Sequence, residues 1–286
     1  MTVQLEKLTE TKQLQLEAVE VRMRTLQMIH NASRGHTGGS LSSVDILVAL
    51  YFSVLNIDPE HPDDQARDRF ILSKGHSVES YYAVLSRRGF FADSVLDTYG
   101  SFNSVLAGHP VRKIPGVELN SGALGHGLSV GVGMALAAKR QSLGFRIFVL
   151  MGDGEHGEGS IMEAAASAGH YKLDNLIAII DRNKLQISGP TETVMSIEDL
   201  PEKYRACGWE VTETDGHDMR SLVNVLSNTP LKTGKPSCVI AHTVKGKGVS
   251  FMENKAPWHH KVPDEMQMKQ AIKELEKMKK EINDGR

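Results

Sequence analysis

The stretch IFVLMGDGEHGEGSIMEAAASAGHYKLDNLIAIIDRN, residues 147–183, decides the fold. It starts with an apolar run that predicts a buried strand ending at Gly152-Asp153-Gly154, followed by an alanine-rich helical pattern. A second apolar run, 176–180, leads into Asp181-Arg182-Asn183. Two buried strands joined by a helix form a βαβ unit with parallel strands. Asp153 and Asn183 should therefore lie at the carboxyl ends of the strands, where open α/β sheets bind ligands.

The residues at this edge suit a magnesium ion bound to a diphosphate. Asp153 offers a carboxylate, Asn183 offers an amide oxygen, and the glycines allow the backbone to approach a polyanion closely. Magnesium usually takes only one or two protein carboxylates and completes its octahedron with phosphate oxygens and water. Because Gly-Asp-Gly is also an ordinary turn sequence, a purely structural interpretation stays open on this evidence alone.

Helical and strand patterns alternate along the rest of the chain. This alternation predicts an α/β fold with a mostly parallel sheet flanked by helices. We expect a single domain over residues 1–286, with a helical segment at the N-terminus, a glycine-rich break at 34–39 and a helical tail at the C-terminus. The predicted helices cover 5–33, 43–55, 78–88, 126–141, 158–171, 201–207, 218–228 and 264–283, and the predicted strands lie at 70–72, 147–151, 176–180, 209–211 and 237–242.

Composition excludes several classes of protein. With 33 basic and 35 acidic side chains the net charge is −2, so we expect no nucleic-acid partner and no attraction to an anionic membrane. The longest uncharged stretch, 119–138, contains five glycines and is a poor membrane span, and the N-terminus carries no apolar signal core. Cys207 and Cys238 lack metal-site spacing and predict unreactive thiols in a reducing compartment. We therefore expect a cytoplasmic protein.

Five histidines stand in loops close to glycine or proline. Any one of them is most simply explained as a loop or capping residue, and no HxxxH or HExxH spacing indicates a zinc site. Together they indicate a ligand site, because glycine admits a ligand close to the backbone and histidine moves protons near neutral pH. They are His36, His76, His109, His126 and His259.

In this order the motifs resemble the N-terminal portion of transketolase, over nearly the whole chain. The resemblance implies thiamine diphosphate as cofactor, with Mg²⁺, or Ca²⁺ or Mn²⁺ in its place. It also implies transfer of a two-carbon ketol unit between sugar phosphates, as in the pentose phosphate pathway. The motifs that carry it are His36 with Gly38, His76, Gly108-His109-Pro110, the segment 122–127, Gly152-Asp153-Gly154, Glu158, Asn183 and His259.

The resemblance also implies how the cofactor is held. Asp153, Asn183 and the backbone carbonyl of Leu185 would bind the metal, while Gly154 and His76 would contact the diphosphate. Gly122 and Leu124 would line the cofactor where the helix of 126–141 begins, and a helix N-terminus favours anions through its free N–H groups.

The catalytic roles implied by the resemblance fall to four residues. His36, His109 and His259 would face the donor ketose, and Glu158 would link two active sites across a dimer. His260 stands where the family has glycine, which leaves open whether His259 or His260 is the catalytic histidine. Ala123 and His126 replace a proline and a glutamine of the family, changes that a helix start tolerates.

The resemblance implies a partner chain as well. The matching motifs end near residue 259, so the pyrimidine-binding and C-terminal domains of a transketolase would come from a second subunit, with two copies of each chain. Another thiamine diphosphate enzyme, similar to 1-deoxyxylulose-5-phosphate synthase or acting on 2-oxoacids, is the first alternative. A non-catalytic scaffold subunit with the same fold is the second.

Overall fold

Five parallel strands form the centre of the protein. In the computed structural model, which describes residue 7 and residues 10–285, the strand order is β1-β2-β3-β5-β4 and every neighbouring pair is parallel. The predicted α/β class with a mostly parallel sheet is confirmed. The strands are β1 Arg69–Leu72, β2 Ile147–Gly152, β3 Leu176–Arg182, β4 Glu210–Asp215 and β5 Ser237–His242.

Helices cover both faces of this sheet. Helices α1, α2, α3 and α8 pack on one face, and α4, α5 and α7 pack on the other. A third apolar cluster joins α9 to α1 and to the loop before it. The helices are α1 Thr11–Ala32, α2 Thr37–Ala49, α3 Val78–Arg88, α4 Gly127–Arg140, α5 Gly159–His170, α6 Thr191–Val194, α7 Leu200–Ala206, α8 Met219–Ser227 and α9 Glu265–Asn283.

The central strands are buried on both sides, which explains their continuous apolar runs. Phe148 and Leu150 of β2 point into the cluster with α1, α2, α3 and α8, and Val149 and Met151 point into the opposite cluster. The alternation places the backbone at the end of β2 between two packed layers. The residue that follows, Asp153, is held at the sheet edge by this packing.

The predicted break after the first helix is present but shorter, covering residues 33–36 and not 34–39, and the predicted helix start at 43 is wrong. Helix α2 begins at Thr37, includes both glycines, and continues from Leu50 to Val54 as a π-helical turn. A Cβ on Gly38 would lie 3.0 Å from the carbonyl oxygen of Trp258. Close packing, and not a turn, therefore requires glycine here, and a single sequence does not distinguish the two.

Other boundaries differ by smaller amounts. Helix α1 begins at Thr11, and residues 7 and 10 are not helical. The other residues of the predicted N-terminal extension, 5, 6, 8 and 9, lie outside the described part of the chain. Strand β3 continues to Arg182, and β4 continues to Asp215 despite its polar residues. Both extensions follow from pairing with β5, a tertiary effect that local apolar patterning does not report.

One segment has the length and composition of a membrane-spanning helix. Thr37–Val54 has a mean hydropathy of 1.3 over 18 residues, but 94% of this window is buried inside the protein. Its apolar side chains contact α1, α3 and the sheet, as those of a core helix do.

Neither cysteine forms a disulfide. Cys238 is buried in β5 and Cys207 is partly buried at the end of α7. Burial raises the pKa of both thiols. A raised pKa leaves little thiolate, the reactive form, in agreement with the expectation of unreactive thiols.

Candidate functional site

A cavity of about 310 Å³ lies at the carboxyl edge of the sheet. Loops that follow β1, β2, β3 and β5 supply most of its walls, because parallel strands all end at this edge. It is lined by His36, Lys74, His76, Gly122, Leu124, Gly152, Asp153, Gly154, Glu155, Asn183, Leu185, Gln186, Ile187, Ser188, Lys245, His259 and His260.

Asp153 is a buried carboxylate on the wall formed by β2. Its Oδ1 accepts from the Gly154 N–H at 2.7 Å, and its Oδ2 accepts from the Lys184 N–H at 2.6 Å and from Arg182 Nη1 at 3.0 Å. Burial and the neighbouring Asp181 carboxylate together raise the pKa of Asp153, although Arg182 and the Lys184 amide oppose the rise. A cation beside Oδ1 would therefore relieve an unfavourable environment.

Asn183 and Leu185 add two neutral oxygens to the same wall. Asn183 Oδ1 accepts from the Leu185 N–H at 3.1 Å, and Asn183 Nδ2 donates to Asp181 Oδ1 at 3.2 Å. The Leu185 carbonyl accepts from Lys245 Nζ at 3.2 Å. Each oxygen has two lone pairs, so both retain an acceptor site after these contacts.

Behind this wall lies a buried ion pair between Lys74 and Asp181. Both side chains are almost fully buried, and Ser42, Ser43 and Thr243 also donate to the carboxylate. Burial alone would raise the pKa of Asp181, but Lys74 and the hydroxyl donors outweigh it and lower the pKa to about 2. The Asp181 carboxylate is therefore ionised at neutral pH, and its contacts connect β1, α2, β3 and β5 beneath the cavity.

Glu155 closes the cavity at the start of α4. Its Oε1 accepts from the Gly125 N–H at 2.8 Å, its Oε2 accepts from the Gly152 N–H at 3.1 Å, and Ser73 donates to it as well. The Gly127 N–H donates to Ser73 Oγ at 3.1 Å. Two amides at the start of α4 are therefore already bonded within the protein, which reduces the free N–H groups that were expected to attract an anion there.

Glycine is required at two places on the cavity wall. Gly122 has a φ of +150°, and a Cβ there would lie 3.1 Å from the His109 ring. A Cβ on Gly154 would lie 2.7 Å from the Gln186 side chain. Side chains at either position would fill space at the cavity wall, so both glycines keep the backbone accessible to a ligand.

Four imidazoles converge on the opposite wall. The His36 ring centroid lies 5.6 Å from that of His76, 5.7 Å from that of His259 and 4.5 Å from that of His260. His76 and His259 stack with centroids 5.1 Å apart. The His109 ring, 6.0 Å from His36, stands at the rim.

Burial lowers the pKa of three of these imidazoles, those of His36, His76 and His259. It lowers the pKa of His36 to about 4 and that of His259 to about 3, and nearby positive groups including Lys245 act in the same direction. The pKa of His76 is also well below its ordinary value, chiefly through burial. Neutral imidazole has one donor and one acceptor nitrogen, which suits contacts with sugar hydroxyls and proton movement.

Lys245 connects the two walls. Its Nζ lies 3.2 Å from the Leu185 carbonyl oxygen and 3.0 Å from His259 Nδ1. Burial, followed by the charge of Lys74, lowers the pKa of Lys245 to about 8. A cation in this position orients the His259 ring and adds positive charge beside any bound anion.

The structure brings together most of the residues singled out from the sequence. His36, His76 and His259 share the cavity with the predicted metal and cofactor residues, and His109 lies at its rim. Glu158 does not line it: this exposed residue stands at the N-terminus of α5, against Gly125. His126 is also exposed, with Nδ1 3.1 Å from the Leu124 carbonyl oxygen. His259 is buried and His260 is exposed, yet both reach the cavity.

Sequence reasoning missed four charged residues. Lys74, Glu155, Asp181 and Lys245 are nearly fully buried at or beneath the cavity. Asp181 is the penultimate residue of β3, and Lys74, Glu155 and Lys245 lie two or three residues after the ends of β1, β2 and β5. Charge at the carboxyl end of a predicted parallel strand is the signal that could have identified them.

Comparison with known proteins finds related sequences over nearly the whole chain. The sequence profile described as "Transketolase, thiamine diphosphate binding domain" matches residues 14–280. The chain is 49% identical over 274 residues to one subunit of the apulose-4-phosphate transketolase of Phocaeicola vulgatus, covering 94% of this chain and 98% of that one. It is 43% identical over 265 residues to the 6-deoxy-6-sulfo-D-fructose transketolase subunit SqwG of a Clostridium species, covering 92% and 96% of the two chains.

Solved structures show the same fold within longer chains. The crystal structure of transketolase from Campylobacter jejuni superposes with a TM-score of 0.86 at 30% identity, over 94% of this chain and 45% of that one. Human transketolase is 35% identical over 259 residues, which are 90% of this chain and 41% of the human one. The chain thus spans about half the length of these transketolases, but nearly the full length of the relatives named as subunits.

Proposed function

The chain belongs to the transketolase family and contains its thiamine diphosphate-binding domain; on this premise we propose that it is the N-terminal subunit of a two-subunit transketolase. In this role it would transfer a two-carbon ketol unit between sugar phosphates, together with a partner chain. The observation that carries the proposal is the convergence of oxygen ligands and neutral imidazoles on one cavity at the carboxyl edge of the sheet.

The residues present fit a magnesium ion. A buried carboxylate with a raised pKa, an amide oxygen and a main-chain carbonyl form a set of hard oxygen ligands. We propose that Asp153, Asn183 and the Leu185 carbonyl hold the ion, leaving the other coordination positions for phosphate oxygens and water. Arg182 and the Lys184 amide would fix the Asp153 carboxylate from behind.

The cavity also fits the diphosphate end of thiamine diphosphate. Gly154 leaves the backbone accessible next to the proposed metal site, and His76 and Lys245 supply donors on the facing walls. Gly122 and Leu124 would line the cofactor at the start of α4. When bound, the cofactor supplies the carbanion chemistry, and the protein supplies placement and proton transfer.

His36, His109 and His259 are proposed to face the donor ketose. The lowered pKa values of His36 and His259 leave both neutral at pH 7, able to donate to one hydroxyl and accept from another. Lys245 near Nδ1 of His259 leaves Nε2 directed to other partners. Two relatives are named for apulose 4-phosphate and 6-deoxy-6-sulfo-D-fructose, so both sugars are included as donors beside xylulose 5-phosphate.

We propose that the partner supplies the pyrimidine-binding and C-terminal domains, with two copies of each chain, in the cytoplasm. Two relatives that are named as subunits align with this chain over nearly their full length, which supports a division of the enzyme into two chains. Glu158 is exposed at the N-terminus of α5, and an exposed carboxylate is available to contact another chain. In this proposal Glu158 links the two active sites of the assembly.

The experiment compares the purified chain with the chain co-expressed with a C-terminal transketolase subunit. Both are assayed for ketol transfer with Mg²⁺, thiamine diphosphate, the donor panel and ribose 5-phosphate. The mixture is expected to be active and the single chain silent. Activity from the single chain would contradict the two-subunit proposal, and a complex that forms but transfers no ketol group would contradict the proposed activity.

A further inference from the structure

We propose that His36, His259 and His260 form a second metal site, distinct from the Asp153 site. This site would bind a divalent transition-metal ion that prefers nitrogen ligands, such as Zn²⁺ or Ni²⁺. Each of these histidines offers one nitrogen, and the three nitrogens lie within 4.8 Å of one another. The inference goes beyond the proposed function and does not depend on it, since it rests on the position of three imidazoles.

The geometry is close to that of a three-histidine site. Zn²⁺ binds imidazole nitrogens at about 2.0–2.1 Å, so tetrahedral ligands lie roughly 3.4 Å apart. The three nitrogens lie at most 4.8 Å apart, so each ring must move by less than about 1 Å to bring them to this spacing. His260 is exposed and follows the short turn Ala256–His259, so its ring has room for this movement.

Two of the rings have a nitrogen available for a metal. His36 Nδ1 is buried and has no hydrogen-bond partner among the described residues. Lys245 Nζ lies 3.0 Å from His259 Nδ1, which leaves Nε2 as the free ligand atom of that ring. The same three side chains line the cavity, so water can occupy the fourth position.

Ligand chemistry separates this site from the one at Asp153. Imidazole suits zinc, nickel and copper, whereas carboxylate and carbonyl oxygens suit magnesium. The ion would lie between His36 and His259, on the wall where the donor sugar is proposed to bind. If that assignment is correct, Zn²⁺ competes with the donor and not with thiamine diphosphate.

The test is Zn²⁺ binding to the full chain in excess Mg²⁺, measured by competition with a chromophoric chelator. Wild type, His260→Ala, Asp153→Asn and His170→Ala are compared, where His170 is an exposed histidine at the end of α5. Wild type is expected to bind one tight Zn²⁺ per chain, and His260→Ala to weaken this binding about tenfold or more. His170→Ala and Asp153→Asn are expected to retain it.

Two outcomes would overturn the inference. Unchanged binding in His260→Ala would show that the ion lies elsewhere. Loss of binding in Asp153→Asn, with retention in His260→Ala, would place Zn²⁺ in the oxygen site. Because His260 is exposed, its replacement is expected to leave the unfolding temperature unchanged, which thermal denaturation of the same samples checks. None of these readouts needs catalytic activity, so failure here and failure of the proposed function are separable.

Discussion

Arg182 Nη1 donates to Asp153 Oδ2 at 3.0 Å, and the Nη2 of the same guanidinium contacts Glu192 and Glu198. Arg182 itself is nearly fully buried, whereas the two glutamates are partly exposed. This arrangement connects the proposed metal ligand, which directly follows β2, to the segment 192–198 near the surface. The carboxylate is thereby fixed before any cation binds.

Replacing Arg182 by leucine should therefore destabilise the protein. Removing one partner of a buried ion pair leaves the other charge uncompensated, which typically costs about 3–5 kcal/mol. Denaturant unfolding of Arg182→Leu at neutral pH measures the loss. Arg205→Leu is the matched control, because the Arg205–Glu202 pair has side chains 46% and 62% exposed. It should cost at most about 1 kcal/mol, and equal losses in the two variants would refute the role assigned to Arg182.

The Lys74–Asp181 pair beneath the cavity should show strong coupling. Lys74→Met leaves the Asp181 carboxylate buried without its cation and should cost about 3–5 kcal/mol. Adding Asp181→Asn removes that charge and keeps an oxygen for the hydroxyl donors Ser42 and Thr243. The double variant should thus lose less free energy of unfolding than the two single variants lose in sum. A double-mutant cycle from urea unfolding measures the difference, and additive losses would contradict the buried pair.

Acid should destabilise the protein through its buried histidines. His156 contacts the Gly152 carbonyl oxygen and the Tyr204 hydroxyl, each at 2.9 Å. Burial outweighs the backbone contacts and lowers its pKa from 6.5 to about 4. Between these values the unfolded chain binds a proton that the folded chain does not, so stability falls as pH decreases from 6.5 to about 4. His36 and His259 act in the same direction.

The pH dependence of unfolding provides the measurement. His156→Gln should reduce the slope of unfolding free energy against pH by up to about 1.4 kcal/mol per unit. His170→Gln, the same substitution at an exposed histidine, is the matched control with which the slope of His156→Gln is compared. A slope that His156→Gln does not alter would show that this ring is not the source of the acid sensitivity.

Much of the fold and part of the site could be predicted from the sequence. The apolar runs before Gly152 and Asn183 predicted buried parallel strands, because a continuous apolar run is visible in the sequence itself. The ends of these strands in turn predicted which edge of the sheet carries the site. The order of the histidine and glycine motifs identified the family, which the comparisons confirm. Thiamine diphosphate as the cofactor is likewise supported by the description of that family.

The parts that failed depend on tertiary packing. In the sequence Gly38 resembles a turn residue, whereas in the structure it is a helical residue packed against the Trp258 carbonyl. Lys74 and Lys245 received no predicted role, since nothing local in the sequence indicates that Asp181 and His259 will be their partners. Glu158 resembles a site residue by its motif but lies outside the cavity lining, so its proposed role requires a neighbouring chain.

The central claim is that Asp153 holds the magnesium ion through which this chain binds thiamine diphosphate. Titration calorimetry of thiamine diphosphate into the complex with the partner chain, in excess Mg²⁺, tests it most directly. Asp153→Asn is compared with wild type and with Glu202→Gln, an exposed acid on α7. We expect wild type and Glu202→Gln to bind equally, and Asp153→Asn to bind at least about tenfold more weakly. Equal affinity in all three complexes would contradict the claim.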